Sequence, residues 1–182
     1  MKNATTHAGT TGTAAAIIVS MMFVTALTFS TLAAQSAEKG NQPSVEWLDF
    51  EKAVTLAQKE RKIVVVDFYT DWCGWCKKMD KDTYGNTQVV KYAKEKLVMS
   101  KVDAESRETT RFKNQELSYR QLAAGFGVRG YPATIFIDAN GEFLTSLSGY
   151  LTPDQFLPIL EFLAEGHYKT MKYEQFMEKR KS

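Results

Sequence analysis

Cysteine is scarce in this 182-residue chain, which has two, Cys73 and Cys76. That excludes the framework of several disulfides that staples many small exported domains. A bridge between these two closes so short a loop that it constrains almost no chain entropy, which argues against a stabilising role. Histidine is equally rare: His7 and His167 are the only two. A tetrahedral zinc site needs four ligands, so a metal pair is the weaker reading of the cysteines, and no metal or cofactor is expected. Charge of one sign is missing as well. The chain has 23 Lys plus Arg against 21 Asp plus Glu, and the net +2 gives no case for nucleic acid or acidic lipid as a partner. After residue 40 there is no glycine-rich phosphate loop, internal repeat or low-complexity tract.

The first 37 residues contain no acidic residue, and Lys2 is their only Lys or Arg. Residues 14–34 are largely apolar, though Ser20, Thr25, Thr28, Ser30 and Thr31 dilute the run. Small residues follow (Ala33, Ala34, Ser36, Ala37) before charge resumes at Glu38. This pattern reads as a signal peptide for export with a small-residue cleavage zone; an uncleaved N-terminal membrane anchor is the alternative. Either places the rest of the chain outside the cytoplasm, periplasmic or otherwise exported. No cysteine follows the apolar segment, so lipid attachment there is excluded.

The remaining length fits one domain with short extensions. Residues 38–43 read as a leader, 44–165 as the domain and 166–182 as a C-terminal helical extension. Ser44 is placed to cap a helix running to about residue 60, with Trp47, Phe50, Val54 and Ala57 on one face. The β-branched run at 63–69 predicts a strand buried on both faces. A helix from residue 73 to about 81, a second at 88–96 and a strand at 97–102 complete a β-α-β unit, which right-handed crossover makes parallel. Strands at 133–137 and 143–147 flank the hairpin signal Asp138-Ala139-Asn140-Gly141. Thr152 and Pro153 open a helix reaching about residue 165. A helix is also expected at 117–126, and an amphipathic one at 168–180. The order β-α-β then β-β-α predicts a layered α/β domain. The polar stretch 104–121 reads as a solvated helix extension, or as an insertion that selects partners; 166–182 is either a packing helix or a docking tail.

Asp71-Trp72-Cys73-Gly74-Trp75-Cys76-Lys77 lies just past the 63–69 strand. Thiols at i and i+3 fall one helical turn apart, close enough to join in a small ring. A strand feeding a helix there puts the first thiol at the helix N-terminus, where unpaired N–H groups and the dipole favour its thiolate. That arrangement reads as redox chemistry.

The segment 67–77, Asp67-Phe-Tyr-Thr-Asp-Trp-Cys-Gly-Trp-Cys-Lys77, followed downstream by Val128-Arg129-Gly130-Tyr131-Pro132, resembles the thioredoxin superfamily. The similarity covers about residues 45–165. A bare CxxC is weak, but the preceding Trp, the following Lys, an Asp six residues upstream and the distal Gly-x-Pro together make a specific pattern. Within the superfamily it is most similar to exported thioredoxin-like proteins related to the C-terminal domain of Dsb-type transmembrane reductant carriers. The resemblance implies the thioredoxin fold, a central mixed sheet flanked by helices. It implies a thiol–disulfide oxidoreductase in which Cys73 attacks a partner disulfide and Cys76 resolves the mixed disulfide.

Asp67 is then expected behind the disulfide as a buried carboxyl with a raised pKa, exchanging a proton with Cys76; a solvated Asp at a frayed strand end is the other reading. The resemblance makes the bond before Pro132 cis and lays that proline against the disulfide, leaving the preceding backbone free to pair with an extended substrate. Ala133 departs from the Thr common at its position, which bears on substrate preference. Trp72, Trp75, Tyr131, Pro132 and Gly149-Tyr150 are candidates for an apolar docking surface, ordinary packing being the alternative. Lys77 and Lys78 either favour the thiolate or are simply solvated. The frame favours the reducing direction, with protein thiols and disulfides as partners, a membrane electron donor and a monomeric chain. A disulfide oxidase or isomerase, or a binding or chaperone module with incidental thiols, are the alternatives.

Overall fold

Ile63-Val64-Val65-Val66 has no local reason to be a helix and every reason to be a buried strand, since branched Cβ atoms pack well on a pleated surface. In the computed structural model, which describes residues 44–181, that run forms the central strand of a five-stranded sheet. The expected export segment at 1–37 and the leader at 38–43 lie outside the described residues.

The elements follow in chain order: β1 (Trp47–Leu48), α1 (Phe50–Glu60), β2 (Ile63–Tyr69), α2 (Gly74–Asp82), α3 (Thr87–Lys96) and β3 (Leu97–Asp103). The second half holds β4 (Thr109–Phe112), β5 (Gln115–Ser118), α4 (Tyr119–Gly125), β6 (Ala133–Ile137), β7 (Phe143–Ser148), α5 (Pro153–Ala164) and α6 (Tyr173–Lys181). The main sheet has the order β1-β3-β2-β6-β7. β3 runs parallel to β1 and β2, while β6 is antiparallel to β2 and to β7. This is the expected βαβ then ββα thioredoxin fold.

The period-2 alternation of β2 divides the core. Val64, Val66 and Phe68 pack with Phe50, Ala53, Ala57 and Leu122 under α1 and α4. Ile63 and Val65 pack with Met79, Val89, Ala93, Phe156 and Leu160 under α2, α3 and α5. Asp67 is odd-numbered like Val65, so it falls on the α2 side.

Local capping explains where several helices start. Asn86 accepts from the N–H groups of Gln88 and Val89, and reciprocal capping boxes join Ser118 to Gln121 and Thr152 to Gln155. Pro153 occupies the first position of α5, where a missing N–H costs nothing.

Three expectations are corrected. The first helix starts at Phe50 with Asp49 as its N-cap, not at Ser44. Trp47 and Leu48 instead pair with Met99 and Ser100, and the Trp47 ring meets Tyr84 edge-on at 4.8 Å. The 104–121 stretch carries no helix extension before Tyr119 but a hairpin, β4–β5, whose two turn residues Lys113 and Asn114 have φ of 47° and 64°. Positive φ at both central positions is the hairpin-compatible mirror-image turn. Its Phe112 lies 5.2 Å from the Phe50 ring, so the hairpin is tied to the core through that side chain. The helix expected at 168–180 is broken into a single 3₁₀ turn (His167–Lys169) and α6, with Gly166 at φ 74° turning the chain. Phe176 of α6 packs on Phe162 of α5 at 5.4 Å. No helix among the described residues is long and apolar enough to cross a membrane.

Candidate active site

The chain leaves β2 at Tyr69, turns through Thr70-Asp71-Trp72 and enters α2 at Gly74. Cys73 is therefore the N-cap, and its backbone N–H donates to the Thr70 carbonyl at 3.1 Å. Its Sγ accepts from the Cys76 N–H at 3.1 Å, the place an N-cap oxygen usually fills. The orphan N–H groups and the positive end of the helix dipole thus face this sulfur, the environment that stabilises a thiolate. The two cysteines are joined, with S–S 2.13 Å and Cα–Cα 5.3 Å. Both are buried, yet the tryptophans beside them are open: Trp72 is 68% and Trp75 59% exposed.

Those indoles lean on tyrosines contributed by the second half of the fold. Trp72 meets Tyr131 at 6.0 Å and donates its Nε1–H to Glu105 Oε2 at 3.0 Å. Trp75 meets Tyr150 at 5.6 Å, and Tyr150 donates its hydroxyl hydrogen to Asp82 Oδ2 at 3.2 Å. The Tyr131–Pro132 bond is cis. Gly149, at φ 87°, donates its N–H to the Pro132 carbonyl at 2.8 Å, which ties the end of β7 to the proline turn. Only glycine takes that φ without a Cβ penalty. Trp72, Trp75, Tyr131, Pro132 and Gly149 are therefore brought around the disulfide end of the sheet. Lys77 is exposed, and Lys78 is held by Asp82 at 2.5 Å with its ammonium 5.4 Å from the Tyr150 ring.

Asp67 is 1% exposed, so it is no solvated residue at a frayed end. Burial, which penalises the charged form, pushes its carboxyl up to about 7, and the Lys101 ammonium 3.7 Å away opposes that rise. Tyr84 donates its hydroxyl hydrogen to Asp67 Oδ1 at 3.2 Å. The Asp80 carboxylate also pairs with Lys101, and the two charges compete for one cation. Lys101 itself is boxed between the rings of Tyr69, at 4.9 Å, and Trp47, at 5.2 Å.

Sequence reasoning did not single out Lys101, Tyr84, Asp80 or Glu105. One signal was present: Lys101 is the lone cation inside the apolar strand β3, as Asp67 is the lone anion in β2. Parallel register places them side by side. Tyr84 and Glu105 carried no comparable mark.

The arrangement is suited to thiol–disulfide exchange, with a sulfur pair at a helix tip, a buried group able to take a proton near neutral pH, and an exposed aromatic rim. Comparison with known proteins agrees. The thioredoxin-like domain family matches residues 50–164. The chain is 31% identical over 150 residues to the thiol:disulfide interchange protein DsbD of Haemophilus ducreyi, an alignment covering 77% of this chain and 24% of that protein. It thus spans about a quarter of the length of that relative. Among solved structures, a thioredoxin-fold protein from Helicobacter pylori superposes with a TM-score of 0.59 at 25% identity, covering 66% of this chain and 80% of the other. A thioredoxin from Thermus thermophilus, at 24% identity and TM-score 0.56 over 66% of this chain and 87% of its own, shares the fold. The chain belongs to the thioredoxin-like domain family.

Proposed function

We propose that this chain is an exported thiol–disulfide oxidoreductase that reduces protein disulfides. The observation that carries the reading is the Cys73–Cys76 pair at the tip of α2, with the Cys73 sulfur serving as helix cap in the turn that leaves β2, the strand that buries Asp67. In the dithiol state the Cys73 thiolate attacks one sulfur of a partner disulfide. A mixed disulfide forms, and the partner's other sulfur leaves as thiolate and takes a proton from solvent. Cys76 gives its proton to Asp67 and attacks Cys73 Sγ, which releases the partner's second sulfur. Two electrons pass to the partner, and the bond seen here is the oxidised product.

Trp72, Trp75, Tyr131 and the Pro132 turn supply the apolar rim on which an extended partner segment docks. The apolar stretch at 14–34 supports export, and the interchange protein matched over 77% of this chain supports protein thiols and disulfides as the partners. A membrane electron donor regenerates the dithiol. Lys77 adds positive charge in the first turn of the reactive helix, next in sequence to Cys76.

The roles of the two cysteines separate by trapping. Cys76→Ser should accumulate mixed disulfides with its partners when expressed in the native host, and mass spectrometry identifies them; Cys73→Ser should trap none and lose turnover. Turnover that survives Cys73→Ser would reduce the thiols to bystanders and favour a binding module.

A further inference from the structure

Tyr84 follows the last turn of α2, and its N–H closes that turn on the Met79 carbonyl at 3.0 Å. Its ring is clamped edge-on by Trp47 at 4.8 Å and Phe156 at 5.6 Å, and it is 2% exposed. The next residue is Gly85, where a Cβ would stand 2.5 Å from the Lys81 carbonyl oxygen, so the turn that delivers Tyr84 tolerates no side chain there. The hydroxyl therefore has one direction available. It meets Asp67 Oδ1 at 3.2 Å and Thr134 Oγ1 at 3.4 Å.

Register explains the convergence. Asp67 pairs with Lys101 on one side and with Thr134 on the other, so three neighbouring strands aim at one spot. A phenol has one donor and two acceptor sites, and a threonine hydroxyl likewise. Thr134 can donate to Tyr84 while Tyr84 donates to the Asp67 carboxylate, which satisfies all three buried groups. When Asp67 is protonated its O–H can donate to the phenol oxygen, and Tyr84 turns its hydrogen to Thr134. The chain of hydroxyls thus serves either protonation state. It favours the charged one, because a hydrogen bond to a carboxylate is stronger than one to a neutral acid. The other titratable groups that feel the Asp67 charge are Lys101 from β3, Asp80 from α2 and Tyr69 at the end of β2.

We propose that Tyr84, steadied by Thr134, is a positioning residue for the proton step: it fixes the Asp67 carboxylate and favours its unprotonated form, which the resolving cysteine needs. This deepens the function proposed above and rests on Asp67 being the acceptor of the Cys76 proton.

The reduced protein reacted with an aryl disulfide of acidic thiol, 5,5′-dithiobis(2-nitrobenzoate), isolates the step. Cys73 thiolate breaks the aryl disulfide and releases one aryl thiolate. Cys76 then loses its proton to Asp67, bonds to Cys73 Sγ and expels the second. Stopped-flow absorbance reads the two phases against pH. Tyr84→Phe is expected to move the midpoint of the second phase up by about one pH unit, slowing it roughly fivefold at pH 7, and to leave the first phase unchanged. Asp67→Asn is expected to abolish that titration. If Asp67→Asn leaves the profile intact, the proton role of Asp67 fails. If Asp67→Asn changes it and Tyr84→Phe does not, the positioning role of Tyr84 is overturned. Equal slowing of both phases with an unmoved midpoint overturns it too. Should Tyr84→Phe not fold, Thr134→Val takes its place, with a smaller upward shift expected and no shift overturning the proposal.

Discussion

Above pH 8 the Asp67 carboxylate is charged in a place where a neutral group is better accommodated. Its folded pKa of about 7 lies above the ordinary carboxyl value of about 3.9. The folded state therefore holds a proton that the unfolded state releases between those two values. Stability linked to this group is fully present below about pH 4, falls as pH rises to about 7, and is flat beyond. Asp67→Asn removes the titration, and Lys101 keeps Asp80 as its partner. The variant is expected to match the parent near pH 4 and to exceed it at pH 8 by roughly 2–4 kcal/mol, read from denaturant melts of the oxidised forms at both pH values. A pH-independent difference would contradict the buried titration. Trp72 gives the opposite kind of residue. At 68% exposure it contributes little packing, so Trp72→Ala should change stability by no more than about 0.5 kcal/mol. It should slow reduction of a protein disulfide severalfold while leaving reduction of a small disulfide nearly unchanged, as expected of a docking residue.

Elements whose cause is local are those a sequence announces. β2 matches its β-branched run at 63–69, and α5 starts where Thr152 and Pro153 say it should. β1 and the β4–β5 hairpin were not legible for the converse reason. Two residues, Trp47 and Leu48, become a strand only because β3 offers an edge, and Lys113-Asn114 lacks the glycine that marks a tight hairpin. Trp47 shares the spacing of Phe50, Val54 and Ala57 and so reads as one face of a helix, while the charged run around Lys113-Asn114 reads as a solvated helix extension. α1 ends on another unadvertised left-handed residue, Arg61, at φ 56° and ψ 38°, whose N–H caps the Ala57 carbonyl. Arg61→Gly relieves the Cβ penalty there and is expected to stabilise the protein by about 0.5–1 kcal/mol in thermal or urea melts. No gain would mean that the arginine side chain contributes as much as the strain costs.

At the scale of the whole molecule, the site is an assembly of the two halves of the fold. Asp67, Cys73 and Cys76 arrive together from one continuous stretch, which is why the sequence displays them. Tyr131, Pro132, Gly149 and Tyr150 come from the second half, tied in by the ring contacts of Tyr131 with Trp72 and of Tyr150 with Trp75 and by the bond from Tyr150 to Asp82. Lys101 and Thr134 reach Asp67 only through strand register, and Tyr84 only through the turn after α2. Contacts set by long-range pairing leave no periodic trace, so the network around the carboxyl had to be seen in three dimensions. The central claim is that the sulfur pair toggles between joined and separate states while the fold around it stays put. Equilibrating the purified protein across a graded thiol–disulfide buffer, with the cysteines alkylated and counted at each poise, tests it most directly. The account predicts one reversible two-electron transition, with a tenfold change in the reduced-to-oxidised ratio per about 30 mV and a midpoint of about −200 mV or lower. A midpoint near about −120 mV would contradict the reducing direction, and no transition at all would contradict the redox claim itself.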